Sequence, residues 1–216
     1  MFVPAGRGVS RCLRHTIANR NRAHRNSSRR RDRISRRPFF HLAAALETEK
    51  PVAVILVGGG ARSGKSRYAL EKARALQGTR AFVATAQPSD EEMIARIRNH
   101  REERGDEFST IEEPIELPRV IAEAKFDVLV VDCLTLWLSN IMFANKIQEI
   151  DALESAAQLA RGTVIFVTNE VGSGIVPTDN ALSRDFRDRA GILNQRIAEI
   201  SQEVYFMVFG QPLRVK

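Results

Sequence analysis

A glycine-rich loop behind an apolar run constrains this chain more than any other feature of its sequence. Residues 59–66 read G-G-A-R-S-G-K-S and match the pattern G-x-x-x-x-G-K-[ST], directly after the apolar run at residues 52–57. Such a loop follows a strand and opens a helix, and its backbone N–H groups point inward at phosphate oxygens. The pattern therefore predicts a strand, a phosphate-binding loop and a helix at about residues 64–77, with a nucleoside triphosphate as the ligand.

Two side chains of this loop carry most of its expected chemistry. Lys65 is placed to reach the β- and γ-phosphates, and the Ser66 hydroxyl is placed to hold Mg²⁺. The guanidinium of Arg62 can add a bidentate phosphate contact that a lysine could not make. The predicted nucleotide-binding positions of the loop are Gly59, Gly60, Ala61, Arg62, Ser63, Gly64, Lys65 and Ser66.

Short apolar runs alternate with helical patterns along the rest of the chain. Strands are predicted at residues 80–85, 127–132, 163–168 and 204–208, and helices at residues 89–104, 119–125 and 134–143. Pro114 and Pro118 are expected to bracket a connector before the helix at 119–125, and a turn is expected at 210–212. Because the strands are apolar on both faces, we predict an α/β fold of the P-loop NTPase type. Its sheet would be mainly parallel, with helices on both faces and a C-terminal hairpin.

The basic residues are concentrated at the start of the chain. Residues 1–50 have twelve Arg and one Lys against three acidic residues, which gives a net charge of +10. The whole chain has a net charge of +7, so residues 51–216 have a net charge of −3. This segment has few apolar residues in periodic order, so residues 1–50 are predicted to be a disordered basic extension. Residues 51–216 are predicted to form the P-loop domain, without a second domain.

Three interpretations of the extension are open. It could bind nucleic acid or an anionic membrane surface, or it could be an Arg-rich targeting peptide. It could also be an unselected extension, read from a start codon placed too far upstream. We favour the third interpretation, because the domain begins abruptly at Pro51 and needs nothing before it.

Cysteine usage and hydropathy indicate a cytoplasmic protein. The two cysteines, Cys12 and Cys133, offer neither a disulfide framework nor the spacing of a metal site. No apolar run reaches the ~18 residues that would predict a transmembrane helix, and the extension lacks the apolar core of a secretory signal. A reducing compartment fits this pattern best.

Two further candidate groups follow predicted strands, where ligands of a parallel sheet bind. Asp132 ends an apolar strand and has the position of a second Mg²⁺-organising residue, with a helix N-cap as the alternative role. The polar loop at residues 169–177 is expected to carry binding groups, with a mobile surface turn as the alternative.

His100 lies in the predicted helix at 89–104, on the same side as Met93, Ile97 and Arg104. On residue type alone, such a histidine is more often packed or exposed than catalytic. The arginines around it could equally form a solvated face paired with neighbouring glutamates. The helix by itself therefore does not decide the role of His100.

Six segments, in order, resemble one enzyme family. They are G-G-A-R-S-G-K-S at 59–66, A-T-A-Q with D-E-E-M-x-x-R-I-x-x-H at 84–100, T-I-E-E-P at 110–114, V-D-C-L-T-L-W-L-S-N at 131–140, N-E-V-G-S-G-I-V-P at 169–177 and F-R-D-x-A-G-x-x-N-Q at 186–195. With these segments the chain resembles the bifunctional adenosylcobinamide kinase/adenosylcobinamide-phosphate guanylyltransferases of cobalamin biosynthesis. The resemblance runs from about Val54 to Lys216, and residues 1–50 have no counterpart in it.

The resemblance implies an enzyme with two reactions. Adenosylcobinamide is phosphorylated on its aminopropanol hydroxyl with ATP or GTP. GMP is then transferred from GTP to that phosphate through a guanylylated histidine, which gives adenosyl-GDP-cobinamide and pyrophosphate. The histidine that matches the family motif is His100, and Lys65 is the second implied catalytic residue.

The resemblance also implies nucleotide contacts outside the loop, a cofactor and an assembly. The contacts carried over to this chain are Thr85, Ala86, Gln87, Arg101, Glu102, Glu103, Arg104, Glu112 and Asp132. The implied cofactor is Mg²⁺, held by Ser66 and Asp132, and the implied partners are adenosylcobinamide, its phosphate, ATP and GTP. A homotrimer with the histidine helix near a subunit interface is implied as well.

Two other functions compete with this assignment. A monofunctional small-molecule kinase would use the same loop and Asp132 and would leave His100 idle. A P-loop ATPase that binds nucleic acid through the basic extension is disfavoured, because the domain has no basic surface interleaved with aromatic residues. No nucleic-acid partner is therefore expected.

Overall fold

A central sheet of seven strands organises the chain, in a computed structural model that describes residues 53–87, 91, 94, 98, 101, 102, 104–174 and 178–216. The strands are β1 Val54–Gly59, β2 Arg80–Ala84, β3 Ser109–Glu112, β4 Val128–Asp132, β5 Thr163–Val167, β6 Glu203–Val208 and β7 Gln211–Arg214. Their order across the sheet is β3-β2-β4-β5-β1-β6-β7. The first six strands pair in parallel, and β7 pairs antiparallel with β6.

Five helices have both ends within the described residues, and a short 3₁₀ helix at Gly105–Glu107 precedes β3. The helices are α1 Lys65–Ala75, α2 Leu117–Glu123, α3 Leu134–Phe143, α4 Glu149–Gln158 and α5 Ala181–Ile200. Of the helix predicted at 89–104, the described positions Glu91, Ile94, Arg98, Arg101, Glu102 and Arg104 are helical. His100 and the predicted extension at residues 1–50 lie outside the described residues.

Helices cover both faces of the sheet, as the apolar strands predict. On one face, α1 packs Ala69, Leu70 and Ala73 into a core with the strand residues Ile55 and Val130. On the other face, α2, α3, α4 and α5 enclose a larger core around Trp137 and Phe166, both fully buried. The predicted fold class, a mainly parallel P-loop NTPase-like sheet with a C-terminal hairpin, is confirmed.

Pro118 is part of a helix and not of the connector that the sequence predicts. The predicted helix at 119–125 is observed as α2, Leu117–Glu123, with the proline in its first turn. A proline is tolerated there because the first N–H groups of a helix need no intrahelical partner, and its fixed φ suits the helix. The prediction treated this proline as a helix breaker and placed the helix two residues too late.

The C-terminal turn also differs from the prediction. Phe209 and Gly210 form it, and Gln211 and Pro212 already belong to β7. Pro212 is compatible with β7 because this strand lies at the edge of the sheet, where one row of N–H groups needs no partner. Strand β3 was not predicted either, because its four residues, S-T-I-E, form no apolar run.

The described residues belong to a compact unit that spans Glu47–Lys216. None of the described helices combines the length and the apolar character that crossing a membrane requires.

Candidate functional site

Two glycines let the chain turn sharply between β1 and α1. Gly59 has a φ of 145°, and a Cβ there would lie 2.9 Å from the Met207 carbonyl oxygen. Gly64 is the N-cap of α1 and has a φ of 91°. Both positions favour glycine because it has no Cβ. The loop at 59–66 thus leads into the N-terminus of a helix, where backbone N–H groups attract an anion.

Lys65 is buried within this loop although it carries a charge. The residue is 7% exposed, and its ammonium donates to the Gly60 carbonyl oxygen and, over 3.4 Å, to Ser63 Oγ. These contacts hold the ammonium across the loop, where it would meet a phosphate at close range. The contact of this lysine with the β- and γ-phosphates stays a prediction.

A polar cluster ties α1, the helix that follows the loop, to strand β6. Lys72 Nζ lies 2.6 Å from Glu203 Oε2 and donates to the Tyr205 hydroxyl over 3.2 Å. The hydrogen bonds from Lys72 and Tyr205 lower the pKa of Glu203. Burial alone would lower the pKa of Lys72, but hydrogen bonds with Glu203 and Tyr205 outweigh burial and raise it. The cluster therefore fixes the position of α1, the helix that follows the loop, relative to β6.

Asp132 ends β4 at the same edge of the sheet as the loop. It pairs with Val167 of β5, which in turn pairs with Val57 of β1. Because neighbouring strands lie about 4.8 Å apart, the backbone of Asp132 lies roughly 10 Å from that of β1. The N-cap of α3 is Cys133, so the alternative role of Asp132 as a helix N-cap is wrong.

Cys133 follows Asp132 and is buried. Burial, and then the charge of Asp132, raises the pKa of the Cys133 thiol to about 11. The thiol therefore stays protonated near neutral pH and is a poor nucleophile. Its place beside the candidate site does not give it a chemical role there.

Thr85 joins the ends of β2 and β4. It is fully buried, its hydroxyl donates to the Cys133 carbonyl oxygen over 2.8 Å, and that hydroxyl accepts from the Cys133 N–H over 2.8 Å. Its carbonyl oxygen accepts from Asn140 Nδ2 over 2.8 Å. In this arrangement Thr85 positions the backbone around Asp132. Ala86 is half-buried and Gln87 is exposed, so the chain reaches the surface directly after Thr85.

Arg104 is a buried cation near the same edge. It is 4% exposed, and its guanidinium carbon lies 4.0 Å from the centre of the Phe82 ring. Burial lowers the pKa of Arg104 and Arg101 adds to this effect, whereas Asp132 and Glu112 favour the charged form. Its Nε is buried and has no hydrogen-bond partner among the described residues. A buried donor without a partner is rare in proteins and calls for an explanation.

The other predicted nucleotide contacts are Glu112, at the end of a strand, and residues of the helical segment before β3. Glu112 ends β3 and pairs with Ala84, which also pairs with Asp132, so the three residues are level across neighbouring strands. Arg101 and Glu102 are exposed. His100 and Glu103 lie outside the described residues, and their roles stay predictions.

The loop after β5 is attached to the phosphate-binding loop. The Glu170 N–H donates to the Gly59 carbonyl oxygen over 3.0 Å, and the Asn169 N–H donates to Thr135 Oγ1 over 2.8 Å. Thr168 Oγ1 donates to Asn194 Oδ1 of α5 over 2.7 Å. The start of the loop is therefore bonded to the phosphate-binding loop, to α3 and to α5, and its binding role stays a prediction. Residues 175–177 lie outside the described part of the chain.

Sequence reasoning missed Thr135, Asn140 and Asn194, which anchor the loops of the site. A signal was present for Thr135 and Asn140, because polar residues in the otherwise apolar helix α3 need buried partners, whereas Asn194 lies in α5, which is rich in charged residues. Their partners, however, are backbone and side-chain groups 25 to 55 residues away in the sequence. Only the fold brings these groups together.

A cavity of about 670 Å³ lies between α3 and α5. Its lining is mainly apolar and comprises Ser139, Met142, Phe143, Asn145, Ile147, Leu182, Ser183, Asp185, Phe186 and Arg189. Asn194, which bonds Thr168 beyond the end of β5, places the N-terminal half of α5 beyond the carboxyl edge of the sheet. The size and lining are typical of small-molecule sites.

The fold and the site together define a P-loop nucleotide-binding protein. The loop lies between β1 and α1, and an acidic residue ends a strand at the same edge. The family described as cobinamide kinase / cobinamide phosphate guanyltransferase matches residues 55–215, and the chain belongs to this family. It is therefore an enzyme, a kinase and nucleotidyltransferase of cobalamin biosynthesis, as the resemblance implies.

The chain is similar to curated relatives over nearly their whole length. Over 169 residues it is 44% identical to the bifunctional adenosylcobalamin biosynthesis protein CobP of Pseudomonas aeruginosa. The aligned region covers 74% of this chain and 96% of that protein. Over 185 residues it is 39% identical to the bifunctional adenosylcobalamin biosynthesis protein CobU of Salmonella typhimurium. The aligned region covers 76% of this chain and 99% of that protein. Among solved structures, a KaiC-like protein from Pyrococcus horikoshii superposes with a TM-score of 0.43 at 14% identity, over 73% of this chain and 72% of that one.

Proposed function

We propose that this enzyme phosphorylates adenosylcobinamide with ATP or GTP and then transfers GMP from GTP to the new phosphate through a guanylylated His100. The observation that carries the proposal is the gathering of Lys65, Asp132 and the buried Arg104 at one edge of the sheet. Membership of a family named for both reactions supports it. The products are adenosyl-GDP-cobinamide and pyrophosphate.

In the kinase step the aminopropanol hydroxyl oxygen attacks the γ-phosphorus. A bond forms between that oxygen and the γ-phosphorus, and the bond between the γ-phosphorus and the oxygen that bridges it to the β-phosphorus breaks. The hydroxyl proton leaves to solvent. Little covalent chemistry is required of the protein, because phosphoryl transfer depends on positioning and charge stabilisation. The ammonium of Lys65 and the N–H groups at the start of α1 supply that stabilisation.

The residues present fit a magnesium ion at this edge. Ser66 offers a hydroxyl oxygen and Asp132 a carboxylate oxygen, and Mg²⁺ prefers oxygen ligands and keeps several waters. When bound, Mg²⁺ neutralises charge on the phosphate oxygens.

In the transferase step an imidazole nitrogen of His100 attacks the α-phosphorus of GTP, and pyrophosphate leaves. A phosphate oxygen of adenosylcobinamide phosphate then attacks the same phosphorus, and the bond between phosphorus and nitrogen breaks. Neutral imidazole is a competent nucleophile near pH 7, and the phosphoramidate that it forms passes the nucleotide onward readily. The proposal for His100 rests on its match to the family motif.

Arg104 is proposed to bind the nucleotide phosphates during this step. The chain places it four residues after His100, and its side chain is buried near Asp132 and Glu112. Burial lowers the pKa of Arg104, but its guanidinium stays charged near neutral pH because an arginine is not deprotonated in proteins. A phosphate oxygen would accept a hydrogen bond from Nε, which has no partner among the described residues.

Intact mass after incubation with GTP and Mg²⁺ tests the proposed function. We expect the mass of one guanylyl group to be added to the protein, and acid to remove it. ATP in place of GTP serves as the control for unspecific nucleotide retention. If no adduct forms while ATP still phosphorylates adenosylcobinamide, the monofunctional kinase is the correct assignment.

We also propose that residues 51–216 form the complete catalytic domain and that residues 1–50 are dispensable. The family match begins at residue 55, and the basic residues that set the positive net charge lie before it. A shortened protein that begins at Pro51 is expected to melt at the same temperature as the full chain and to keep both activities. Insoluble protein after this truncation would contradict the proposal. Assembly into a homotrimer stays a prediction from the family resemblance.

A further inference from the structure

Phe209 occupies a position where a phenylalanine is unexpected. It is the first residue of the two-residue turn between β6 and β7, with a φ of 51°, and Gly210 follows with a φ of 79°. Turns with positive φ at both central residues favour Asn or Asp followed by Gly, and a bulky side chain is disfavoured there. The ring is also 98% exposed, so burial does not offset this cost.

The turn lies against the start of α1. A Cβ built on Gly64 would lie 3.7 Å from the Cα of Gly210 and 3.6 Å from Arg67 Nη2. A Cβ built on Gly210 would lie 3.8 Å from the same Arg67 nitrogen. The Arg67 guanidinium therefore lies between the hairpin turn and the first turn of the helix. The pairing of Gly59 with Met207 fixes the hairpin beside the loop.

The start of α1 is the end of the loop where the α-phosphate of a bound nucleotide would lie. In a loop of this pattern the lysine reaches the β- and γ-phosphates, and the backbone at the start of the helix cradles the α- and β-phosphates. The ribose and base are attached to the α-phosphate. The turn that carries the exposed Phe209 lies against the start of α1, and therefore on the side of the loop where the nucleoside would be attached.

We propose that Phe209 stacks on the purine of the nucleoside triphosphate held by the loop. The inference rests on the proposed function, because it requires a nucleotide in the loop. Stacking uses the face of the base, which adenine and guanine share, and does not read the hydrogen-bonding edge. The enzyme would then accept ATP and GTP with similar affinity in the kinase step.

Replacement of Phe209 by Asn removes the aromatic ring and keeps the backbone conformation of the turn. Asn adopts positive φ readily, so Phe209→Asn should leave the melting temperature unchanged or raise it. Stacking on a base contributes about 1–3 kcal/mol, so we expect the variant to bind ATP and GTP roughly 10-fold more weakly, both by a similar factor. Inorganic tripolyphosphate, which has no base, should bind the variant as tightly as it binds the wild-type protein. Phe209→Trp should keep the affinity for both nucleotides.

Titration calorimetry of the full chain with the three ligands distinguishes the outcomes. Unchanged ATP and GTP affinity in Phe209→Asn would overturn the inference, and so would an equal loss of tripolyphosphate affinity, which would mean that the turn shapes the phosphate site. Loss confined to one nucleotide would point to recognition of the base edge. A changed oligomeric mass would assign the ring to a contact between copies of the chain. If the wild-type protein binds none of the three ligands, the proposed function fails and this inference fails with it.

Leu159→Ala is a control for the loss of an exposed apolar side chain. Leu159 is 82% exposed and follows α4, and it belongs neither to the hairpin nor to the lining of the cavity. Its replacement removes apolar surface without touching the turn. Affinity for all three ligands should therefore remain at the wild-type level.

Discussion

The Lys65→Ala variant is expected to lose both activities together. The ammonium of Lys65 lies across the phosphate-binding loop, and one such donor contributes a factor of about 10²–10³ in rate where charge develops in a transition state. If one loop serves both reactions, the rates of adenosylcobinamide phosphorylation and of GMP transfer should fall by similar factors. Single-turnover measurements with saturating nucleotide check this result.

Lys125→Ala provides the control for the loss of a lysine. Lys125 is exposed and follows α2, and its removal should leave both rates and the melting temperature unchanged. Retention of either activity near the wild-type rate in Lys65→Ala would show a second nucleotide site. Such a result would restrict the loop at 59–66 to one of the two reactions.

The His100→Asn variant is expected to separate the two reactions. It should form no GMP adduct and transfer no GMP, because transfer through an enzyme-bound nucleotide has no route without the imidazole. Phosphorylation of adenosylcobinamide by ATP should persist, since that step uses Lys65, Ser66 and Asp132 and requires no covalent intermediate on the protein. Intact mass with GTP and a kinase assay with ATP measure the two effects on the same preparation.

His41→Asn is the matched control for this variant, because it removes a histidine from the segment that the family match does not include. It should retain both activities. A GMP adduct on His100→Asn would refute the assignment of the nucleophile. If His100→Asn unfolds while His41→Asn does not, His100 is a packed residue, and the phosphoramidate mechanism must be abandoned.

Local patterns predicted the parts of the site that depend on a contiguous stretch of sequence. The loop at 59–66, the strand that ends at Asp132 and the helix Leu134–Phe143 lie where their patterns place them. In each case the signal is short in range: a glycine spacing, an apolar run or a helical period. The errors were local as well. Pro118 begins a helix, and Pro212 lies in an edge strand, because a proline is compatible with both positions.

The burial of Arg104 and the hydrogen bonds of Thr85 could not be predicted in this way. An arginine among other charged residues in a helical pattern predicts a solvated face, yet Arg104 packs on Phe82 of β2. The hydroxyl of Thr85 bonds to Cys133, which is 48 residues away in the sequence. Both features require the sheet order β3-β2-β4, which no local pattern determines.

The two edges of the sheet affect how this protein behaves at high concentration. Strands β3 and β7 have four residues each, and β7 is exposed throughout, with Pro212 within it and Arg214 at its end. A short edge that carries a proline and a cation is a poor template for another strand, because it offers few unpaired N–H groups and repels a second copy. The described sheet is therefore protected at β7 against growth by strand addition, and we expect concentrated preparations to resist fibre formation. Association between copies of the chain would then use side-chain surfaces in place of backbone pairing.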